Sequence, residues 1–386
     1  MKCIRSMTMP KGYSSFSTSM GIKDDSLDFG AIFSEVPANF AALFTQNQVK
    51  GNPILYGQRL VKKSKLLRGL VVNSKNSNVA TGKQGYEDCK KLCKAVEQEM
   101  GFPKNTVFPS STGVIGRRLP IKKMLAGVQQ CAAKVSQPAD FDAFSKAIMT
   151  TDTFPKKVTM QVANTTLVGV AKGSGMIEPN MATMLCYFFT DAAFSNRSLK
   201  NMLKRSTDLT FNSLSVDSDT STSDTALIMA NGMAGKIKEK AFTEALIECS
   251  TQLTKMLARD GEGATKLFIV DVINASTRKD AQLAGKAIIN SPLVKTAIYK
   301  GDPNWGRIFM AAGKSGAQFK PNQLKIHWGP NQEISGEAPL DSLSSYLQNN
   351  EELYLTVNLN QGKKSWRVYG CDLTEEYVKI NAYYTT

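Results

Sequence analysis

An α+β fold is what this sequence predicts, on three observations. Short β-rich apolar runs recur along the chain, and longer helical patterns stand between them in blocks without a strict βαβ rhythm. No linker, internal repeat, low-complexity tract or heptad array divides the 386 residues. A chain of that length, 42% hydrophobic and 21% charged, can bury a sizeable core.

Taken in order, residues 69–73 (Gly-Leu-Val-Val-Asn) read as a buried strand, entered from the basic run Lys62-Lys63-Ser-Lys65-Leu-Leu-Arg68, a solvated edge. Residues 87–100 and 121–133 carry helical patterns. Residues 157–162, 166–170 and 186–190 are strand candidates. A long helix is expected over 241–259, then a strand over 266–274 and a helix over 280–289. Residues 324–328 and 353–359 close the set as strands. Turn signals at Pro109-Ser-Ser-Thr-Gly113, Gly173-Ser-Gly175 and Gly301-Asp-Pro303 fall at element ends.

Composition narrows the function. No apolar run approaches the roughly 18–20 residues a membrane helix needs. The 48 Lys+Arg against 33 Asp+Glu give a formal charge of +15, which favours anionic partners. A basic nucleic-acid-binding protein is thus one reading, but no recognition motif supports it. Seven cysteines at irregular spacing read as reduced, buried thiols; Cys89 and Cys93, at i and i+4, fall short of a zinc site. Lys2, Arg5 and Lys11 among serines hint faintly at a transit peptide, with a mitochondrial matrix location if the source is eukaryotic, but cytoplasmic is the expectation.

The chemistry concentrates in Lys172-Gly-Ser-Gly-Met-Ile-Glu-Pro-Asn-Met-Ala-Thr-Met-Leu185, which puts Thr183 directly after Ala182. Attack of the Thr183 hydroxyl on the Ala182 carbonyl gives an ester whose hydrolysis frees an α-amino group beside the same hydroxyl. Nucleophile and general base then sit on one residue. An α-amine has an unperturbed pKa of about 8, so a usable fraction is neutral near pH 7. The one histidine, His327, lies in a strand pattern and reads as structural. Pro109-Ser-Ser-Thr-Gly-Val-Ile-Gly116 is a glycine-containing loop able to aim a hydroxyl and an N–H at one point, as an oxyanion hole requires. Residues 212–225 hold several aspartates but lack the glycine and glutamate of a calcium loop, so they read as structural hydrogen-bonding groups. Glu262, in Asp260-Gly-Glu-Gly-Ala-Thr-Lys266, suits an ammonium ligand.

These motifs, with Gly301-Asp-Pro-Asn-Trp-Gly-Arg307 and the terminal Asn381-Ala-Tyr-Tyr-Thr-Thr386, resemble over nearly the whole chain those of the ornithine acetyltransferases, the glutamate N-acetyltransferases of arginine biosynthesis. The resemblance implies an N-terminal-nucleophile-like αββα sandwich with a smaller α/β lobe. It also implies self-cleavage into an α chain, 1–182, and a β chain, 183–386, interwoven in one fold and assembled as a heterotetramer of two α and two β chains. Thr183 is then the nucleophile, and Thr112 with Gly113 the oxyanion hole. Thr150, Lys172, Thr183, Glu262, Asn381 and Thr386 are the substrate contacts, Thr151 competing with Thr150. Arg117-Arg118 departs from the expected pattern and bears on the pocket rim, and Arg307 is a candidate for a structural ion pair. The implied substrates are N2-acetyl-L-ornithine and L-glutamate, with no cofactor, metal, nucleic acid or membrane partner, and acetyl-CoA open as a second donor. The rival enzyme reading is an N-terminal-nucleophile aminopeptidase or amidohydrolase, with water as acceptor.

Overall fold

The computed structural model describes residues 8–22, 24–178 and 184–383. The segment holding Ala182 and Thr183, and the terminal Thr386, lie outside the described residues. The chain divides into two compact units. The first comprises Met1–Gly173, Pro179–Asn212 and Thr220–Leu253; the second comprises Ser174–Glu178, Ser213–Asp219 and Thr254–Thr386.

Unit 1 runs β1 (Tyr13–Thr18), β2 (Phe29–Phe44), α1 (Asn52–Lys63), β3 (Leu67–Asn73), α2 (Gly82–Glu99), β4 (Val107–Ser111), α3 (Ile121–Val128), α4 (Phe141–Ala147), β5 (Lys156–Val162), β6 (Thr165–Lys172), β7 (Leu185–Ala192), α5 (Asn196–Leu209), β8 (Thr225–Gly235) and most of α6 (Glu239–Arg259). Its strand order is β4-β3-β2-β8-β7-β6-β5, with β1 on β2. Strand β2 changes partner midway: Phe29–Phe33 pair with β3, and Asn39–Phe44 pair with β8. Pro37, which has no N–H to give a ladder, lies within the irregularity between Phe33 and Ala38.

The bend lets one ladder stack on itself. Val168, Val170, Leu185, Tyr187, Phe189, Leu227 and Met229 share one core with Phe29, Ile32 and Val71. Residues of the opposite parity face outward onto helices, as period-two strands require. Phe188 meets Phe211, with ring centroids 6.4 Å apart. A Cβ on Gly169 would lie 2.7 Å from the Cys249 sulfur, so α6 packs where only glycine leaves room. On the other sheet half, α1 and α2 cover β4. The layers are therefore α, β, β, α, as the resemblance implied.

Unit 2 carries β9 (Leu267–Ala275), α7 (Arg278–Ile289), α8 (Pro292–Lys300), α9 (Trp305–Gly313), β10 (Lys325–Trp328), β11 (Ile334–Ser335), α10 (Leu340–Asn349), β12 (Glu352–Asn358), β13 (Lys364–Cys371) and α11 (Glu375–Tyr383). Its sheet order is β11-β10-β12-β9-β13, and α7 packs on β9 and β13. This is the smaller α/β lobe. The buried Lys266 ammonium donates to Leu347 O at 2.5 Å and Ile298 O at 3.2 Å, closing the last turns of α10 and α8.

The basic run is solvated and leads into β3 as expected, and its Lys62 and Lys63 also end α1, where cations meet the negative helix terminus. One expectation needs correction. Arg307 makes no ion pair among the described residues; its Nη1 donates to Leu293 O at 2.6 Å and to Thr296 Oγ1 at 3.2 Å, tying α9 to α8. His327 lies within β10 as a strand residue. No helix among the described residues is long and apolar enough to cross a membrane.

Candidate active site

Thr112 follows the last residue of β4, where the edge position tolerates Pro109 inside the strand. Its N–H donates to Asn73 O at 3.0 Å, which leaves the hydroxyl as its free-turning group. That hydroxyl oxygen accepts from the Lys172 ammonium at 3.1 Å, with both side chains buried. Gly113 has φ +127°, and a Cβ there would lie 2.3 Å from the Lys75 carbonyl carbon and 2.5 Å from Asn76 N. These are backbone atoms that cannot yield, so only glycine fits.

Residues 74–78 form the strap under this loop. Asn73 Nδ2 donates to Asn76 O at 2.7 Å, Ser77 Oγ to Val114 O at 2.7 Å and Ser74 Oγ to Ala147 O at 2.9 Å. Asn76 also holds the carbonyls of Arg117 and Arg118, each at 3.2 Å. The Arg118 guanidinium pairs with Asp88 of α2 at 3.2 Å. One of the two unexpected arginines is thus committed to α2.

Lys172 is the last residue of β6 and pairs with Leu185 of β7, which in turn pairs with Thr225 of β8. The strand that starts two residues after Thr183 is therefore flanked by Lys172 on one side and by Thr225, next to Asp224, on the other. Asp224 is fully buried; burial drives its carboxyl well above the usual range, against the pull of Ser221, Lys172 and Thr45. Asp152, which the motif reading passed over, accepts from Thr150 N–H at 3.0 Å, Gly173 N–H at 2.6 Å and the Lys156 ammonium at 2.7 Å. Burial works to raise Asp152, but Lys172 and Lys156 overcome it and hold the carboxyl at about 2. Thr150 and Thr151 are both half-buried beside it.

In unit 2, Glu262 occupies the turn between α6 and β9. Its N–H donates to Ser174 O at 2.8 Å, and its carboxylate lies against Gly175, where a Cβ would come within 2.3 Å of Oε2. Asn381 of α11 donates to Glu262 Oε2 at 2.8 Å, so α11 packs its Asn381 against the Glu262 turn. Tyr377 is pushed up by burial and then by Asp217 and Glu262. Asp217 accepts from Met176 N–H at 2.6 Å and Ile177 N–H at 2.8 Å, the structural role expected of residues 212–225. Asp152 and Tyr377 had no motif signal of their own: one hid behind two threonines, the other in an ordinary helix. No group of three His, Cys, Asp or Glu among the described residues could hold a metal ion.

The structure thus brings Thr112, Gly113, Lys172 and Thr150 into one set in unit 1, and Glu262 and Asn381 into another in unit 2. A family model described as the ArgJ family matches residues 14–386. The chain is 44% identical over 381 residues to the arginine biosynthesis bifunctional protein ArgJ 2 of Nostoc sp., with 98% of each chain covered. It is 42% identical over 381 residues to the bifunctional protein ArgJ of Thermus thermophilus, covering 98% of this chain and 99% of that one. Among solved structures, the ArgJ protein of Bacillus halodurans is 39% identical with a TM-score of 0.50, covering 52% of this chain and 100% of that chain. The likeness read from the motifs is therefore a membership: this chain belongs to the ArgJ family.

Proposed function

We propose that the chain cuts itself at Ala182-Thr183 and then moves acetyl from N2-acetyl-L-ornithine to L-glutamate through an ester on Thr183. The observation that carries this is the pairing of Leu185 with Lys172, whose ammonium holds Thr112. It sets the strand following Thr183 beside the residues assigned to the oxyanion.

In the cut, Thr183 Oγ adds to the Ala182 carbonyl, the C–N bond breaks, and water hydrolyses the resulting ester. In turnover, the freed α-amine takes the Oγ proton as Oγ adds to the acetyl carbonyl. The proton passes to the departing ornithine amine. Thr112 and Gly113 stabilise the oxyanion. Glutamate's amine then attacks the acetyl ester, so one amide replaces another and no cofactor is required. Glu262 and Asn381 are assigned to the substrate's amino-acid groups, Thr150 and Thr386 to further contacts. Lys172 orients the oxyanion side. Acetyl-CoA as a second donor, a two-α two-β assembly and a cytoplasmic location, fitting the bacterial relatives, belong to the same proposal.

Product analysis tests it. With acetylornithine alone, the enzyme should release ornithine and acetate slowly; adding glutamate should speed ornithine release and yield N-acetylglutamate. Release unaffected by glutamate, with acetate as the sole acetyl product, would make the protein an amidohydrolase instead.

A further inference from the structure

We propose that Asp152 is a positioning residue for the oxyanion side of the site, acting through Lys172 on the Thr112 hydroxyl; this rests on the acyl-transfer reading above. Proton direction decides what the Thr112 hydroxyl can do. An ammonium has three donors and no acceptor, so in the Lys172–Thr112 contact of 3.1 Å the hydroxyl oxygen must accept. The Thr112 N–H is already spent on Asn73 O. The single hydroxyl proton is therefore turned away from Lys172, to donate to whatever oxygen develops charge beside it. Replacing the ammonium by a group able to accept would let that proton point backwards, and the donor would be lost.

Lys172 must then be held both charged and in place. Asp152 is built to do this. Its Oδ1 accepts from the N–H of Gly173, the next residue, at 2.6 Å, fixing the chain where β6 ends and Lys172 turns. Its Oδ2 holds Thr150 N–H at 3.0 Å, so the same carboxylate ties a candidate substrate loop to the lysine. Lys156, itself fully buried, pairs with Oδ1 at 2.7 Å. The carboxylate is thus ionised throughout the range in which an α-amine serves as base, its carboxyl being held at about 2. A charge kept inside the protein between two cations, with backbone donors on both oxygens, is preorganised and needs no rearrangement when the oxyanion forms.

The test compares Asp152→Asn, Lys172→Met, Lys172→Arg and the pair Asp152→Asn with Lys156→Met in the full chain. The paired change removes both ends of the Asp152–Lys156 ion pair and so does not strand the Lys156 charge that Asp152→Asn alone would leave unpaired. Rates of chain splitting, and kcat and KM for acetylornithine in the split enzyme, are measured beside melting temperature. Asp152→Asn, the paired variant and Lys172→Met should each lower kcat about 100-fold, the loss expected for one oxyanion donor. Their KM should stay within about threefold, because only the transition state is affected. Lys172→Arg should restore most of the rate. Wild-type kcat in either Asp152 variant, or a Lys172→Met whose loss lies in KM, overturns the proposal. So does an Asp152→Asn chain that loses melting temperature while the paired variant keeps both fold and rate. The wild-type protein's own splitting and acetyl transfer decide the underlying reading separately.

Discussion

The Lys172 end of unit 1 and the Glu262 end of unit 2 are built in opposite ways. Thr112, Lys172, Asp152 and Lys156 are buried, and each polar atom discussed above has a partner on a strand or a tight loop. Glu262 is half-exposed, and its partner Asn381 is exposed on the last helix of the chain. The difference matches the roles proposed for the two ends. Stabilising a charge that exists only at the transition state gains from fixed donors in a dry setting. Gripping the amino-acid part of a substrate that must enter and leave needs charge and reach, and tolerates water.

That contrast predicts where each substitution shows. Thr112→Ala should lower kcat by about 10²- to 10³-fold with little change in KM. A comparable rise in KM would place Thr112 with the gripping residues and erase the distinction. Glu262→Ala should raise KM for acetylornithine by about 10- to 100-fold, the worth of a hydrogen bond to a charged group, and leave chain splitting at its normal rate. Asn381→Ala should follow with about a 2- to 10-fold rise. Splitting that slows in either variant would tie the exposed end to the chemistry.

The smallest effect concerns stability. Burial raises the Asp224 carboxyl in the folded state, so the folded protein favours its protonated form. Such a group contributes stability below the unfolded pKa and loses that contribution as pH rises through the folded value. Asp224→Asn should therefore gain melting temperature over the wild type by a few degrees as pH rises from 4 to 8. A constant difference across that range would mean that Asp224 titrates like an ordinary carboxylate.

Much of this was legible in the sequence, for reasons specific to each element. Strands β6 and β7 are buried at every position, so the centre of each reads as an apolar run, with polar residues only toward the ends. Strand β2 is longer than either, yet Glu35 and Pro37 interrupt its pattern where it changes partner, and nothing local reveals that two pieces are one strand. The loop carrying Gly113 was visible because a hydroxyl, a glycine and a turn stand together. The Glu262–Asn381 bond joins residues 119 positions apart; family likeness singled out each residue as a substrate contact, and no spacing reveals the bond between them. Asp152 escaped because a buried aspartate and a turn aspartate look alike in sequence. Only the fold shows that Lys156, four residues on, and Gly173 both converge on its carboxylate.

The proposed chemistry depends on Thr183 becoming a terminal nucleophile that carries the acetyl group. Intact-mass measurement under denaturing conditions, before and after brief exposure to acetylornithine, tests it most directly. Two fragments, 1–182 and 183–386, should appear, with the second heavier by one acetyl group after exposure and returned to its starting mass by glutamate. Thr183→Ala should remain one unlabelled chain. A wild-type protein that transfers acetyl while uncut, or a label that resides on the first fragment, would contradict it.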